Sequence, residues 1–185
     1  GPSCDCGRFL EFWNLVFMEF FKERDGTQRP LPSKNIDTGM GLERIASILQ
    51  GTETVFETDL YFPIIQHVSR IIGVKYQDDP GTDVSLRVIA DHGRAVTFLI
   101  ADGVFPGNEG RSYVLRRVLR RAVRHGKHLG FDQPFMAGIA EKVAELFGEQ
   151  YPELPSQIGR IQRVINHEEE HFNQTLATGM ERFDE

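Results

Sequence analysis

The sequence is poor in cysteine and has no long apolar run. Its 185 residues contain two cysteines, Cys4 and Cys6. Side chains two residues apart in an extended chain point to opposite faces, so a disulfide between them is disfavoured, and no third cysteine is present to help bind zinc. No apolar stretch approaches the roughly 18 residues needed to cross a bilayer, and no basic-then-apolar leader opens the chain. We therefore expect a reduced, cytoplasmic protein without a membrane partner.

The sequence also lacks the excess of positive charge that marks many nucleic-acid-binding domains, since its formal net charge is −6. The charges are unevenly distributed, however. Residues 111–128 contain seven Lys or Arg and no acid, whereas residues 141–185 contain ten acids and four Lys or Arg. Because salt screens a charge beyond about 8–10 Å, this distribution matters more for phosphate binding than the sum.

The hydrophobic pattern predicts an α+β fold, in which a small antiparallel hairpin precedes a mostly α-helical bundle. Residues 9–21, FLEFWNLVFMEFF, favour a long strand covered on both faces. Asp25-Gly26 predicts a hairpin turn, followed by a short return strand over 27–32 and a turn of the chain at 39–41. Apolar spacing predicts helices over 42–50, 59–72, 85–101, 111–129, 134–147 and 155–183.

The composition changes near residue 52, from mixed β/α to helical, and this change predicts the domain organisation. Residues 1–7 begin Gly1-Pro2-Ser3 and are expected to be a remnant of a tag or linker. Residues 8–51 and 52–185 are then two parts with different architectures.

Residues 35–44, NIDTGMGLER, form the first candidate site. Gly39 and Gly41 allow a backbone to approach a ligand closely at the start of a helix, whose free N–H groups suit phosphate. The guanidinium of Arg44 lies one turn into that helix and can bind phosphate through two parallel bonds. Asp37 can bind an ammonium group. The alternative is a glycine turn into an ordinary surface helix, because short glycine patterns are weak signals.

The second candidate is the basic helix that begins near Arg111. Its arginines form one stripe at a spacing of four residues and a second stripe beside it, which gives an amphipathic helix rich in guanidinium groups. Arginine is well suited to binding phosphate. The alternatives are a solvated face or pairing with the acidic last helix. The two stripes are Arg116, Arg120, Arg124 and Arg117, Arg121.

A third pattern is HEEEH at residues 167–171, which fits the H-E-x-x-H arrangement of a zinc hydrolase. Glu181 is the one candidate third ligand downstream. The neighbourhood is very acidic, so we expect a solvated acidic helix face and no zinc.

Several long motifs in order resemble the alanyl-tRNA synthetase family. The stretch Gly-Met-Gly-Leu-Glu-Arg at 39–44 is similar to the third signature motif of class II aminoacyl-tRNA synthetases. The resemblance implies that 8–51 is the end of a catalytic domain and that 52–185 begins the helical domain that recognises the tRNA acceptor stem. The motifs that carry it lie at residues 12–20, 37–45, 86–92, 100–104, 106–117 and 121–126.

For the catalytic part, the resemblance implies a role for each matching residue. Arg44 would bind the γ-phosphate of ATP, while Gly39 and Gly41 would let the adenylate approach. Asp37 would pair with the α-ammonium group of alanine. Asn14 and Val16 would line the alanine pocket together with Gly39. ATP and Mg²⁺ would serve the full-length enzyme, and in the family a separate editing domain corrects mischarging with serine or glycine.

For the helical part, the resemblance implies binding to the acceptor stem of tRNA-Ala. Asn108 aligns with the residue that reads the third base pair, a G·U wobble, and we expect this in the shallow minor groove of RNA. Gly107 stands where relatives usually have Ser. The residues implied in tRNA binding are Asn108, Arg111, Arg116, Arg117, Arg120, Arg121 and Arg124.

The resemblance also shows which parts of the family are missing from this sequence. The first two signature motifs lie upstream of residue 8, and a second reader of the wobble pair lies beyond Glu185. We therefore expect an alanine–tRNA ligase fragment that is inactive alone. The alternative is a non-catalytic module that binds the acceptor stem. The long strand would also keep an open edge, through which two chains could associate.

Overall fold

The computed structural model describes Ser3, Cys4 and residues 6–184, with side chains as far as Thr178. The chain divides into two compact units, residues 1–60 and 61–185. The α+β prediction is confirmed: the described chain holds one two-stranded antiparallel sheet and six α-helices. No described helix is both long and apolar enough to cross a bilayer.

The first unit contains a hairpin of β1 (Trp13–Lys22) and β2 (Gln28–Met40). The turn between them is the predicted one, with the Asp25 carboxylate accepting a hydrogen bond from the Thr27 N–H at 2.9 Å. The predicted return strand over 27–32 was too short, and 39–40 extend β2 rather than turning the chain. The ladder is irregular between Met18 and Phe20, and its Cα partners jump from Asn35 to Pro30. Pro32 falls inside this irregularity, where no ladder hydrogen bond depends on its missing N–H.

The hairpin is exposed on both faces, contrary to the prediction that β1 is covered. All ten residues of β1 are exposed, including Trp13, Leu15 and Phe17, the last at 67%. Apolar residues at both odd and even positions indicate a strand suited to burial on both faces. Burial also requires packing layers above and below the strand, and the sequence of the strand does not show whether they are present.

The first helix, α1 (Leu42–Gln50), has the predicted bounds. It begins after Gly41, which supplies no capping side chain, and it ends at Gly51 in the left-handed conformation with φ of 66°. A short 3₁₀ turn over Val55–Glu57 follows, where the Glu57 carboxylate accepts a hydrogen bond from the Thr54 N–H at 3.3 Å.

The second unit is a bundle of five helices. They are α2 (Phe62–Ile72), α3 (Pro80–Ala101), α4 (Gly110–Leu129), α5 (Met136–Phe147) and α6 (Glu153–Asp184). The largest fully buried side chains come from all five helices and form one core. They are Ile64, Ile65, Leu86, Ile89, Ile100, Leu115, Leu119, Met136, Ile139, Leu154, Ile161 and Ile165.

The start of α3 corrects the sequence analysis by five residues. The Asp79 carboxylate accepts a hydrogen bond from the Thr82 N–H at 2.7 Å, and Pro80 occupies the first helical position. Both are standard signals for the start of a helix. A Pro-Gly pair by itself favours a loop, and the predicted start at residue 85 follows from that preference.

Two glycines allow the helices to approach closely. A Cβ added at Gly126 of α4 would lie 2.2 Å from the Phe135 ring, and one added at Gly93 of α3 would lie 2.5 Å from Cγ2 of Ile139. Neither neighbour leaves room for a larger residue.

Glu169 of α6 caps the start of α5. Its two carboxylate oxygens accept hydrogen bonds from the N–H groups of Phe135 and Met136, each at 3.1 Å. Burial raises the pKa of this carboxyl group, although the two backbone donors favour its charged form. Because α5 has no capping side chain of its own, α6 supplies one.

Candidate functional site

The four residues expected to bind alanine lie together on one face of the hairpin. In the register of the sheet, Asn14 pairs with Gly39 and Val16 pairs with Asp37. Directly opposite residues share a face of an antiparallel pair, and residues two apart on one strand share a face as well. The hairpin therefore presents an amide, a small apolar wall and a carboxylate on one surface.

Gly39 leaves space beside Asn14 within this group of four residues. A Cβ added at Gly39 would lie 3.1 Å from Oδ1 of Asn14, closer than ordinary contact. Asp37 is exposed, and its Oδ1 accepts a hydrogen bond from the Thr38 N–H at 2.9 Å. The second carboxylate oxygen remains available for an ammonium group.

Arg44 lies beside the same end of the hairpin, in a depression of about 270 Å³. Its Nη1 donates a hydrogen bond to the backbone carbonyl of Glu11 at 2.5 Å, which holds the guanidinium in place, and no acidic side chain among the described residues forms an ion pair with it. The start of α1 has no side-chain cap, and the helix dipole adds positive potential there. A fixed cation beside a helix N-terminus suits an anion such as phosphate. The depression is lined by Glu11, Phe12, Trp13, Asn14, Gly39, Met40, Gly41 and Arg44.

No group of three His, Cys, Asp or Glu side chains in the described part of the chain could hold a metal ion. At the depression itself, the cationic guanidinium of Arg44 suits an anionic phosphate rather than a free metal ion. Mg²⁺ commonly binds through substrate phosphates and one or two carboxylates, so it would reach this site with its nucleotide.

In the second unit, the arginine surface of α4 divides into two parts. Arg116 and Arg120 turn towards α6 and share one carboxylate, that of Glu168. The Nε of Arg120 donates to Oε1 at 2.7 Å, and the Nε of Arg116 lies 3.3 Å from Oε2. Glu168 is only 4% exposed. Arg116 and Arg120 therefore pair with the acidic last helix, which was one of the alternatives that the sequence left open.

The other part of the surface faces solvent. Arg117, Arg121 and Arg124 line an open groove of about 520 Å³ that contains no acidic side chain. Arg111, at the start of α4, is exposed as well. Sequence reasoning missed His92 and Phe172, which line the same groove. The ring of Phe172 lies 5.1 Å from the Arg120 guanidinium. His92 stands within one of the family motifs, but nothing in its spacing relates it to α4.

Asn108 lies in the exposed loop before α4. Its Oδ1 accepts a hydrogen bond from Nη1 of Arg116. The neighbouring Gly107 is tightly placed, because an added Cβ would lie 2.8 Å from Cβ of Ser112. A serine at position 107 would therefore require the loop to shift.

The segment at 167–171 is not the solvated acidic face that the sequence predicted. Glu168 and Glu169 are buried and engaged with α4 and α5, whereas His167, Glu170 and His171 are exposed. The glutamate that a zinc hydrolase would use as a base is therefore occupied by two arginines. The side chain of Glu181, the candidate third ligand, lies outside the described residues.

Comparison with known proteins agrees with the sequence motifs. A family model described as tRNA synthetases class II (A) matches residues 1–185. An alanine–tRNA ligase from Geobacillus kaustophilus is 55% identical over 179 residues, which cover 97% of this chain and 20% of that protein. One from Desulforudis audaxviator is 54% identical over 181 residues, covering 98% and 21%. One from Thermotoga maritima is 52% identical over 184 residues, covering 100% and 21%.

The chain spans about one fifth of the length of these curated relatives. The match extends over both units. The chain therefore belongs to the class II tRNA synthetase family, in which it corresponds to a segment of an alanine–tRNA ligase.

Proposed function

We propose that this chain carries part of the ATP and alanine site, and part of the acceptor-stem surface, of a cytoplasmic alanine–tRNA ligase that serves translation. The observation that carries the proposal is the grouping of Asn14, Val16, Asp37 and Gly39 on one hairpin face. Arg44 lies in a depression that Asn14 and Gly39 also line. This group offers a carboxylate for an ammonium ion and a guanidinium for a phosphate.

In this proposal, Asp37 binds the α-ammonium group of alanine and Asn14 donates to or accepts from its carboxyl group. Val16 limits the size of the pocket. One methylene changes binding by only about 1–3 kcal/mol, so a single wall cannot exclude glycine. Arg44 binds the terminal phosphate of ATP and Gly41 allows close approach. Class II synthetases use ATP with Mg²⁺, which would neutralise phosphate charge as the adenylate forms.

We further propose that the chain alone does not form alanyl-adenylate, because residues 1–185 contain only the third of the three class II signature motifs. Alanine-dependent exchange of pyrophosphate into ATP tests this. We expect no exchange above background. Exchange that required alanine and disappeared in Arg44→Ala would contradict the proposed inactivity and support the assignment of Arg44.

A second candidate function, that of a non-catalytic acceptor-stem-binding module, is favoured by the acid-free groove of Arg117, Arg121 and Arg124. An acceptor-stem minihelix should bind there with an affinity that falls steeply as salt rises. Each of Arg117→Ala and Arg121→Ala should weaken binding and reduce the log–log salt slope by about 1.

Lys75→Ala provides the control, since Lys75 is an exposed lysine in the α2–α3 loop, paired only loosely with Asp78 at 3.5 Å. Its removal also lowers the net charge by one and should leave the salt slope unchanged. An equal effect of Lys75→Ala would indicate general attraction to RNA rather than binding in the groove.

A further inference from the structure

Asn108 and Glu168 are sixty residues apart in sequence, but one arginine joins them. Arg116 reaches Glu168 through its Nε, at 3.3 Å, and reaches Asn108 through Nη1. Glu168 also holds Arg120 at 2.7 Å, so its carboxylate is fixed between two guanidinium groups. The result is a continuous chain of contacts from the buried face of α6 to the exposed loop before α4.

The chemistry of the arginine determines the orientation of the Asn108 amide. A guanidinium has only N–H donors, so the atom of Asn108 that faces it must be the carbonyl oxygen. The NH₂ group is then turned away from Arg116. An asparagine in this orientation offers its two N–H donors outward, while its carbonyl oxygen, bonded to Arg116, keeps only one lone pair.

We infer that Glu168 is a positioning residue for RNA recognition: through Arg116 it fixes the Asn108 amide so that Asn108 presents N–H donors to an acceptor on a base edge. This inference rests on the proposed acceptor-stem function and on the role of Asn108 in reading the third base pair. Glu168 touches no RNA in this arrangement. Its effect is therefore on selectivity, and phosphate contacts made by the exposed arginines are retained.

The burial of Glu168 supports this role. Glu168 is only 4% exposed, so water screens the charge of its carboxylate poorly. The two arginines around it can therefore be held in one geometry at little further cost in conformational entropy. Arg116 is half-buried, with its side chain 24% exposed, and cannot swing freely into solvent. Without the carboxylate, the guanidinium would lose its ion pair with α6, and the amide that is bonded to it would be free to rotate.

Glu168→Gln tests the inference, with Glu170→Gln as a matched control. Both changes remove one negative charge from α6, but Glu170 is exposed, whereas the ion pairs of Arg116 and Arg120 are made with Glu168. The measurement is the ratio of affinities for two minihelices that differ only in a G·U or a G·C third pair. Asn108→Ala defines the complete loss of this preference, which we expect to be roughly fivefold or more.

We expect Glu168→Gln to lose most of the preference that Asn108→Ala loses, while Glu170→Gln keeps it. A second readout needs no RNA. In the ¹⁵N-labelled protein, the heteronuclear Overhauser effect of the Asn108 side-chain amide should fall in Glu168→Gln and stay unchanged in Glu170→Gln. If Glu168→Gln does not fold, Glu168→Asp replaces it, because a carboxylate shorter by one methylene cannot keep both arginine contacts.

The possible failures are distinguishable. If the folded Glu168 variant keeps both the preference and the ordered amide, the inference is wrong and the proposed function stands. If the wild-type chain does not bind the minihelix, or if Asn108→Ala leaves the preference unchanged, the proposed role of Asn108 is wrong and the inference falls with it.

Discussion

At the scale of single residues, the adjacent glutamates Glu168 and Glu169 contribute in different ways. Glu168 neutralises two arginines of α4, and Glu169 accepts two backbone N–H groups at the start of α5. Neighbouring positions on a helix face about 100° apart, so two consecutive residues can meet two different partners. Together they attach α6 to both α4 and α5.

Glu169→Gln should change how the stability of the helical unit depends on pH. Burial raises the folded-state pKa of Glu169 above its unfolded value. The stabilising contribution of this group is therefore complete below the unfolded pKa and is lost as pH rises through the folded pKa. Glutamine cannot titrate and supplies only one oxygen, so one N–H loses its acceptor at a cost of about 1–2 kcal/mol.

We therefore expect Glu169→Gln to be less stable than wild type at about pH 4, with a difference that shrinks towards about pH 7. Urea unfolding followed by circular dichroism measures it. Glu149→Gln serves as the control, because Glu149 is exposed after the end of α5. A constant difference between Glu169→Gln and wild type across this range would contradict the assigned direction of the pKa shift.

At the scale of elements, the positions of the helices could be predicted from the sequence more fully than the neighbours that each helix face contacts. Apolar spacing located all six helices: six of the twelve ends coincide with the predicted ones, five differ by one to three residues, and the start of α3 differs by five. The arginine stripes of α4 were also visible in the sequence. Which stripe meets α6 was not, because Arg116 and Arg117 differ only by one step around the helix. Helix packing decides that one is half-buried and the other exposed.

Gly126→Ala should destabilise the bundle, although alanine favours helix over glycine by about 1 kcal/mol. The added methyl group would overlap the Phe135 ring, which is stacked on Phe131 with ring centroids 4.1 Å apart. Overpacking of this kind costs about 1–3 kcal/mol. Thermal unfolding should show a lower midpoint.

Gly138→Ala in α5 is the matched control, since an added Cβ there meets nothing within 4 Å. Helix propensity then acts alone, and we expect a gain of about 0.5–1 kcal/mol. Equal shifts in the same direction for Gly126→Ala and Gly138→Ala would show that the contact with Phe135 is unimportant.

At the scale of the whole molecule, the two units differ in how far the sequence determined them. The helical unit encloses its own core, so local periodicity was sufficient to predict it. The hairpin has no apolar layer over it in the described chain, and its burial could not be judged from residues 9–21. The grouping of Asn14 with Gly39 and of Val16 with Asp37 depends on strand register. Register is a long-range property that the family motifs implied but periodicity alone did not fix.

The exposed hairpin predicts self-association of the isolated chain. Phe17 and Ile36 are opposite each other in the ladder and are 67% and 60% exposed. Open strand edges and large apolar surfaces promote pairing between chains. Phe17→Lys should therefore shift the chain towards monomer in sedimentation experiments over a range of protein concentrations.

Val84→Lys adds the same charge at an exposed apolar position of α3, in the other unit. It should leave the association unchanged. If both lysine variants reduced association equally, net charge rather than the hairpin would control it.

The long last helix, α6, extends beyond the residues that pack it against the bundle. Among the described side chains of α6, which end at Thr178, Glu169 is the last buried one. Phe172 still packs against Arg120 of α4, but beyond it the described part of the helix is held mainly by its internal hydrogen bonds, which are marginal without packing. Amide hydrogens of residues 161–169 should therefore exchange with deuterium only when the bundle opens, whereas those of 173–178 should exchange by local fraying. The cooperative folding unit would end at the glutamate pair, well before the helix does.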